Sequence, residues 1–289
     1  MNWTLTAPII SHEKNYRFDP ITNKHQEIII KYCMGKDGKG LVLFMQDMLQ
    51  QLILDENVVI KDLPVIDQLF LMIRLRSLCI GTKLDVVSQD PDTGESKKYK
   101  ISLIDVQKSI NEHYLQPKII LDDRSNIEIK LHYPTTWGPL EDHDYITEIN
   151  IDGTQYDIGS LSKTQKAEII ENFPRDIQLK VTNGIDEISN SISKMVFLRV
   201  PEGENITLIH DQYIHILRVV FSDTLNNFIE LMYVFVKVMN FTLSDAMKLT
   251  PSDTQLYYQM FIKEMNEKEK AALNAQNQAA QAARQVPSR

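Results

Sequence analysis

The chain has 289 residues and a formal net charge of -8, with 43% apolar and 24% charged side chains. That balance excludes wholesale disorder, because apolar material is ample to offset the ordering entropy. The acidic charge argues against general nucleic-acid binding, which needs Lys and Arg to neutralise phosphates. The two cysteines, Cys33 and Cys79, are too few for a disulfide scaffold or a thiolate zinc site, and fit a reduced compartment.

The N-terminal residues carry no basic start and no long apolar run, so no secretory signal is expected. The first twenty residues read as extended chain closing on Asp19-Pro20. Thr22 is placed to cap a helix over Asn23–Met34, which Gly35 stops. GKDGKG (Gly35–Gly40) reads as a loop. A second helix is predicted over Leu41–Leu54, with Leu41, Phe44, Met45, Met48 and Leu52 on one face. Asp62 is read as the cap of a third helix, with Pro64 in its first turn and Gly81 at its end.

Lys83–Ser88 and Lys97–Leu103 read as a hairpin around QDPDTGES, whose Asp, Pro and Gly are turn residues. A short helix, Ile104–His113, follows. Lys118–Leu121 and Asn126–Tyr133 form a second hairpin; IEIKLHY alternates strictly, so one face should be buried. Tyr133–Leu140 reads as loop, and Thr147–Ile158 as a hairpin turning at Asp152-Gly153. Ser162–Asn172 and Arg175–Lys194 are predicted helices separated by Phe173-Pro174, the second weakened by Gly184. Val196–Val200 and Ile206–Leu208 suggest a short hairpin. Asp211–Asn240 is apolar on most sides, with a break at Phe221-Ser222-Asp223. Its most apolar part, Phe228–Phe241, holds Glu230 and Lys237 and is shorter than the ~20 residues of a membrane span, so no span is expected. Ser244 should cap a short helix to Leu249, and Pro251 opens the last helix. From Ala271 the tail is rich in Ala and Gln, with high helix propensity but no apolar stripe. It should be a solvated helix or disordered unless a partner orders it.

The order helices, strands, helices predicts an α+β fold. The expected divisions are 1–116, an α/hairpin domain; 117–200, β-hairpin plus helices; 201–270, a helical bundle; and 271–289, the tail.

No catalytic constellation emerges. GKDGKG lacks the Gly-Lys-Ser/Thr of a phosphate loop. His132, Asp142, His143 and Asp144 are the residue types of a metal-dependent hydrolase, but neighbours in a strand or loop point different ways, so a solvated acidic loop is the plainer reading. HExxH and GxSxG are absent. Arg74 and Arg76 stand out on an otherwise apolar helix. Asp67, on the same stripe as Arg74, is the expected internal ion-pair partner, with contact to a partner protein as the alternative for the two arginines. No cofactor and no metal are expected.

RFDPITNKHQEIIIKYC followed, after a spacer, by DLPVIDQLFLMIRLRSLCIG resembles the baseplate hub assembly family of T4-like bacteriophages. The matching positions are Pro20 and Glu27, then Leu63, Pro64, Asp67, Leu71, Arg74, Arg76, Ser77 and Gly81. The family's serine before the glycine is displaced here, with Cys79-Ile80 standing before Gly81. SLSKTQKAEIIENFP is similar to a further family helix. Some relatives carry cysteine pairs in the hairpin after the motif; QDPDTGES has none, and no zinc is implied. The resemblance implies a non-enzymatic tail protein, acting as assembly factor or chaperone, or as a minor structural subunit. It implies binding to other baseplate hub proteins or the tape-measure protein, in the host cytoplasm during assembly or in the virion baseplate. A general adaptor outside any phage is the alternative from a different class.

Overall fold

A computed structural model describes residues 4–284, apart from residues 36, 90–93, 123–125, 139, 157, 159–160, 196, 200–204, 208–212 and 222–224. The architecture is α+β: helices at both ends of the chain and antiparallel strands between them.

The N-terminal segment is more than extended chain. Strands β1 (Leu5–Ile9) and β2 (Lys14–Phe18) pair antiparallel across a 3-10 turn at Ile10–His12, with Glu13 at positive φ. Alternation buries Leu5, Ala7, Ile9 and Phe18. Helix α1 (Asn23–Met34) begins after Thr22, whose backbone N–H is taken by the His25 ring. Helix α2 (Gly38–Leu52) starts inside the predicted glycine loop, because Asp37 accepts from Gly40 N and satisfies an orphan donor of the first turn. The third helix, α3 (Val65–Cys79), takes Pro64 at its N-cap position. Asp62 belongs instead to a separate 3-10 turn, Ile60–Asp62.

Strands β3 (Lys83–Gln89) and β4 (Ser96–Ser102) form the predicted hairpin, and α4 (Leu103–His113) follows it. The two later hairpins merge into one meander, which no local pattern announced. Strands β5 (Lys118–Asp122), β6 (Ile127–Leu131), β7 (Ile146–Ile151) and β8 (Thr154–Tyr156) lie in that order. Helices α5 (Lys163–Glu171) and α6 (Arg175–Met195) come next. A Cβ built on Gly184 would lie 2.5 Å from Leu131 Cδ1. The glycine read as a helix weakness is therefore the point where α6 seats closely on the sheet.

Strands β9 (Phe197–Arg199) and β10 (Asn205–Thr207) pair as a short hairpin. Helices α7 (Tyr213–Val220), α8 (Leu225–Lys237), α9 (Leu243–Lys248) and α10 (Pro251–Arg284) complete the chain. The predicted cap Ser222 lies outside the described residues. Thr242, not Ser244, caps α9: its hydroxyl accepts from Asp245 N. Residues 271–284 continue α10, and 271–277 are exposed.

Buried apolar side chains form two clusters. The larger runs from Leu5 to Phe221 around α3. The smaller joins Ile30 of α1 to Phe228, Met232 and Phe235 of α8 and Ala246 of α9. By length and composition alone Ile216–Lys237 could cross a membrane. Phe228, Met232 and Phe235 of this stretch are buried in the smaller cluster, whereas Ile229 and Tyr233 are exposed.

Candidate functional site

The residues that carry the family resemblance converge on α3, which is buried on nearly every side. Polar groups on a helix so enclosed are ordinarily hydrogen-bonded within the protein, and here Arg74 Nε is an exception. Asp67 is fully buried. Its Oδ1 accepts from the backbone N–H groups of Ile10 (3.0 Å) and Ser11 (3.2 Å), and its Oδ2 accepts from the Tyr114 hydroxyl (3.4 Å). Burial pushes the Asp67 carboxyl up from the usual carboxylate range, against the hydrogen bonds from Ser11 and Ile10. Asp67 thus pins the turn of the N-terminal hairpin to the central helix.

The expected Asp67–Arg74 ion pair gives way to separate attachments. Arg74 Nη1 donates to Gln107 Oε1 of α4 at 3.2 Å, and Gln107 Nε2 donates to Ser77 Oγ at 2.8 Å. Ser77 in turn donates to the Ile73 carbonyl. Arg74 and Ser77 sit one turn apart, so one Gln107 clamps both. Arg76 Nη1 donates to the Gly81 carbonyl at 2.6 Å, tying down the helix end. Gly81 has a φ of 150°, a conformation that favours glycine. Arg74→Ala is expected to cost about 1.5–3 kcal/mol, the range for a hydrogen bond to a charged group. Thermal denaturation of the variant checks this.

Gln68, adjacent to Asp67, is also fully buried. Its Oε1 accepts from Gln46 Nε2 of α2 and from Trp137 Nε1, and its Nε2 donates to the Leu63 carbonyl, each at 2.8 Å. The remaining motif residues are simpler. Leu71 is buried in the larger core. Pro64 starts α3, and its carbonyl accepts from Asp67 N and Gln68 N. Pro20 is half-buried between β2 and α1, and Glu27 pairs with Lys31 at 2.6 Å along α1.

Beyond Tyr114 the seam reaches the sheet. Tyr114 Oη and His132 Nε2 are 3.2 Å apart. Tyr133 Oη accepts from Leu115 N (2.7 Å) and meets Ser191 Oγ of α6 (2.8 Å). Burial pushes the Tyr114 hydroxyl up, with Asp67 adding to the effect. Burial lowers His132 to about 4, helped by Lys130. A histidine depressed in the folded state contributes stability present above its ordinary value and lost as pH falls through the folded one. Stability should therefore fall between pH 6.5 and about 4, and His132→Gln should flatten that part of the denaturation profile.

These groups are positioned to hold elements together. Of the hydrolase set, the His132 ring bonds to Tyr114, whereas His143 lies beside Glu141 (3.4 Å) and Asp144 (3.7 Å). Among the described residues no group of three or more His, Cys, Asp or Glu is arranged to hold a metal ion. Cys79 is a core thiol: its Sγ accepts from Ile21 N at 3.2 Å, and burial pushes it up to about 12.

The same end of α3 receives the C-terminal helices. Asn23, buried at the start of α1, donates through Nδ2 to the Ala246 carbonyl (2.8 Å) and to Thr254 Oγ1 (2.6 Å). Ser252 Oγ donates to the Cys79 carbonyl at 2.7 Å. Asn23→Ala would leave a buried carbonyl and a buried hydroxyl without these donors, at about 1–3 kcal/mol. Chemical denaturation measures that loss.

Sequence reasoning missed Asn23, Gln68, Gln107 and Tyr114. The detectable signal was weak: Gln107 falls on the apolar face set by Leu103, Val106 and Ile110. A family model for the T4 bacteriophage base plate protein matches residues 2–201. No curated protein and no solved structure matches the chain.

Proposed function

This chain belongs to the T4 bacteriophage base plate protein family, and from that premise we propose that it acts in baseplate hub assembly without catalysing a reaction. It would bind other hub proteins or the tape-measure protein, as an assembly factor or a minor structural subunit. The observation that carries this reading is the use made of the motif. Asp67, Arg74, Arg76 and Gly81 spend their polar groups on the protein's own backbone and side chains. They build a rigid body and present no reacting group.

Partner contact falls to surfaces outside that seam. Helix α10 is anchored at Pro251 and Thr254, both buried, and exposes Leu256, Met260 and Met265 beyond them. Its 34 residues span about 50 Å at the α-helical rise. A long helix anchored at one end and carrying exposed apolar side chains suits helix-in-groove recognition. Removing residues 271–289 should leave the melting temperature unchanged and reduce the yield of assembled tails. Normal assembly by the truncated chain would remove the tail from the recognition surface.

A further inference from the structure

The four-stranded sheet has an edge that the described residues leave without a strand partner. Helix α6 packs on one face of β5 and β6. On the other face Ile119 and Leu121 of β5 are 54% and 58% exposed. Edge strands with apolar side chains are templates for pairing with another chain, and proteins ordinarily blunt them. We propose that β5 pairs antiparallel with β5 of a second copy of this chain, across a two-fold axis through Ile120, joining the two sheets into one of eight strands.

The occupant is argued from two charge patterns that share one axis. The strand reads Lys118-Ile119-Ile120-Leu121-Asp122. Paired with itself about Ile120, it sets Lys118 opposite Asp122 of the second copy, and Ile119 opposite Leu121. Opposite charges and apolar pairs placed directly across two strands stabilise the pairing. A one-residue slip would lose both matches.

The helix above repeats the pattern. Within one protomer Lys118 Nζ pairs with Glu187, and Lys180 Nζ reaches the Leu121 carbonyl. Helix α6 therefore runs antiparallel to β5 with both charged residues on the side toward the edge. A Cβ on Gly184 would come within 3.8 Å of Ile120, which places the middle of the Lys180–Glu187 interval over the proposed axis. The two-fold then sets Lys180 against Glu187 of the second copy, and the reverse.

The spacing agrees. Strands lie about 4.8 Å apart, so a helix over the seam between β5 and β6 would meet its copy at about 10 Å, the ordinary distance for packed helices. Such a symmetric contact is isologous, and two-fold dimers are the commonest closed assembly.

Light scattering coupled to gel filtration of the full chain tests this. The expected mass is twice 33.4 kDa. Lys180→Glu places two like-charge pairs across the axis and should return the chain to the monomer mass with an unchanged circular dichroism spectrum. Ile119→Lys, an independent variant at an exposed position, should do the same. Inverting all four charges together (Lys118→Asp, Asp122→Lys, Lys180→Glu, Glu187→Lys) keeps the Lys118–Glu187 pair and both proposed intermolecular charge pairs in reversed sense, gives up only the Lys180 bond to the Leu121 carbonyl among the contacts named above, and should restore the dimer. A monomeric native chain would overturn the proposal. So would a dimer that survives both Lys180→Glu and Ile119→Lys.

Discussion

Asp67→Ala is expected to lower the stability of the fold by about 1–3 kcal/mol, because it removes the one acceptor shared by two backbone donors and a phenol. The Ile10 and Ser11 N–H groups and the Tyr114 hydroxyl all end on this one carboxyl. The carboxyl itself is fully buried, while Ile10, Ser11 and Tyr114 are half-buried. Asp67→Asn is expected to cost much less. Its amide oxygen can still accept from both backbone groups, and it cannot ionise. The pH dependence carries the same sign. Because the folded carboxyl titrates above its ordinary 3.8, its contribution is full below that value and is lost as pH rises through the folded one. The asparagine variant should therefore gain on the native chain as pH rises. Denaturant titration of all three proteins at several pH values reads both effects. Equal losses for Ala and Asn would show that Asp67 contributes little as an acceptor.

Phe235→Ala is expected to cost about 3–5 kcal/mol, the range for removing a buried aromatic ring. Phe235 is fully buried in the smaller cluster, with its ring centroid 5.3 Å from that of Phe241. The cluster and the helices that carry it meet the rest of the protein at Ile30, at the hydrogen bonds of Asn23 and at the Ser252 bond to the Cys79 carbonyl. The loss should therefore fall on α8, α9 and α10 before it reaches the larger core. Limited proteolysis should cut the variant first between α8 and α9, near Asn240, with the segment from β1 to α7 persisting longer. Simultaneous loss of both parts would mean that the two clusters unfold as one.

Much of the fold was legible because the signals are local. Helices α1, α3, α4 and α6, and the hairpin of β3 and β4, follow from apolar periodicity, caps and turn residues. The errors are local too. Asp37 captures a cap inside a glycine-rich segment, and Thr242 outcompetes Ser244 because its spacing reaches Asp245 N. What could not be read was long-range. The merging of β5 through β8 depends on β6 pairing with β7 across a long loop. The seam on α3 was half visible. Asp67, Arg74 and Arg76 stood out as polar groups on an apolar helix, but their spacing suggested pairing with each other. The structure spends them on Ile10, Gln107 and Gly81 instead. A carboxylate far in sequence from its donors leaves no periodic trace. The family resemblance marked the right helix for that reason, while the residues that complete it came only with the fold.

Binding to other tail proteins is the proposed role of this base plate family chain, whose motif residues bond within the protein. Affinity capture of the full-length chain from infected cells, with mass spectrometry of what it retains, tests that most directly. The expected result is recovery of baseplate hub proteins or the tape-measure protein, retained by the Asp67→Asn variant that keeps the fold. Capture that returns the folded chain with no tail protein at all would contradict it.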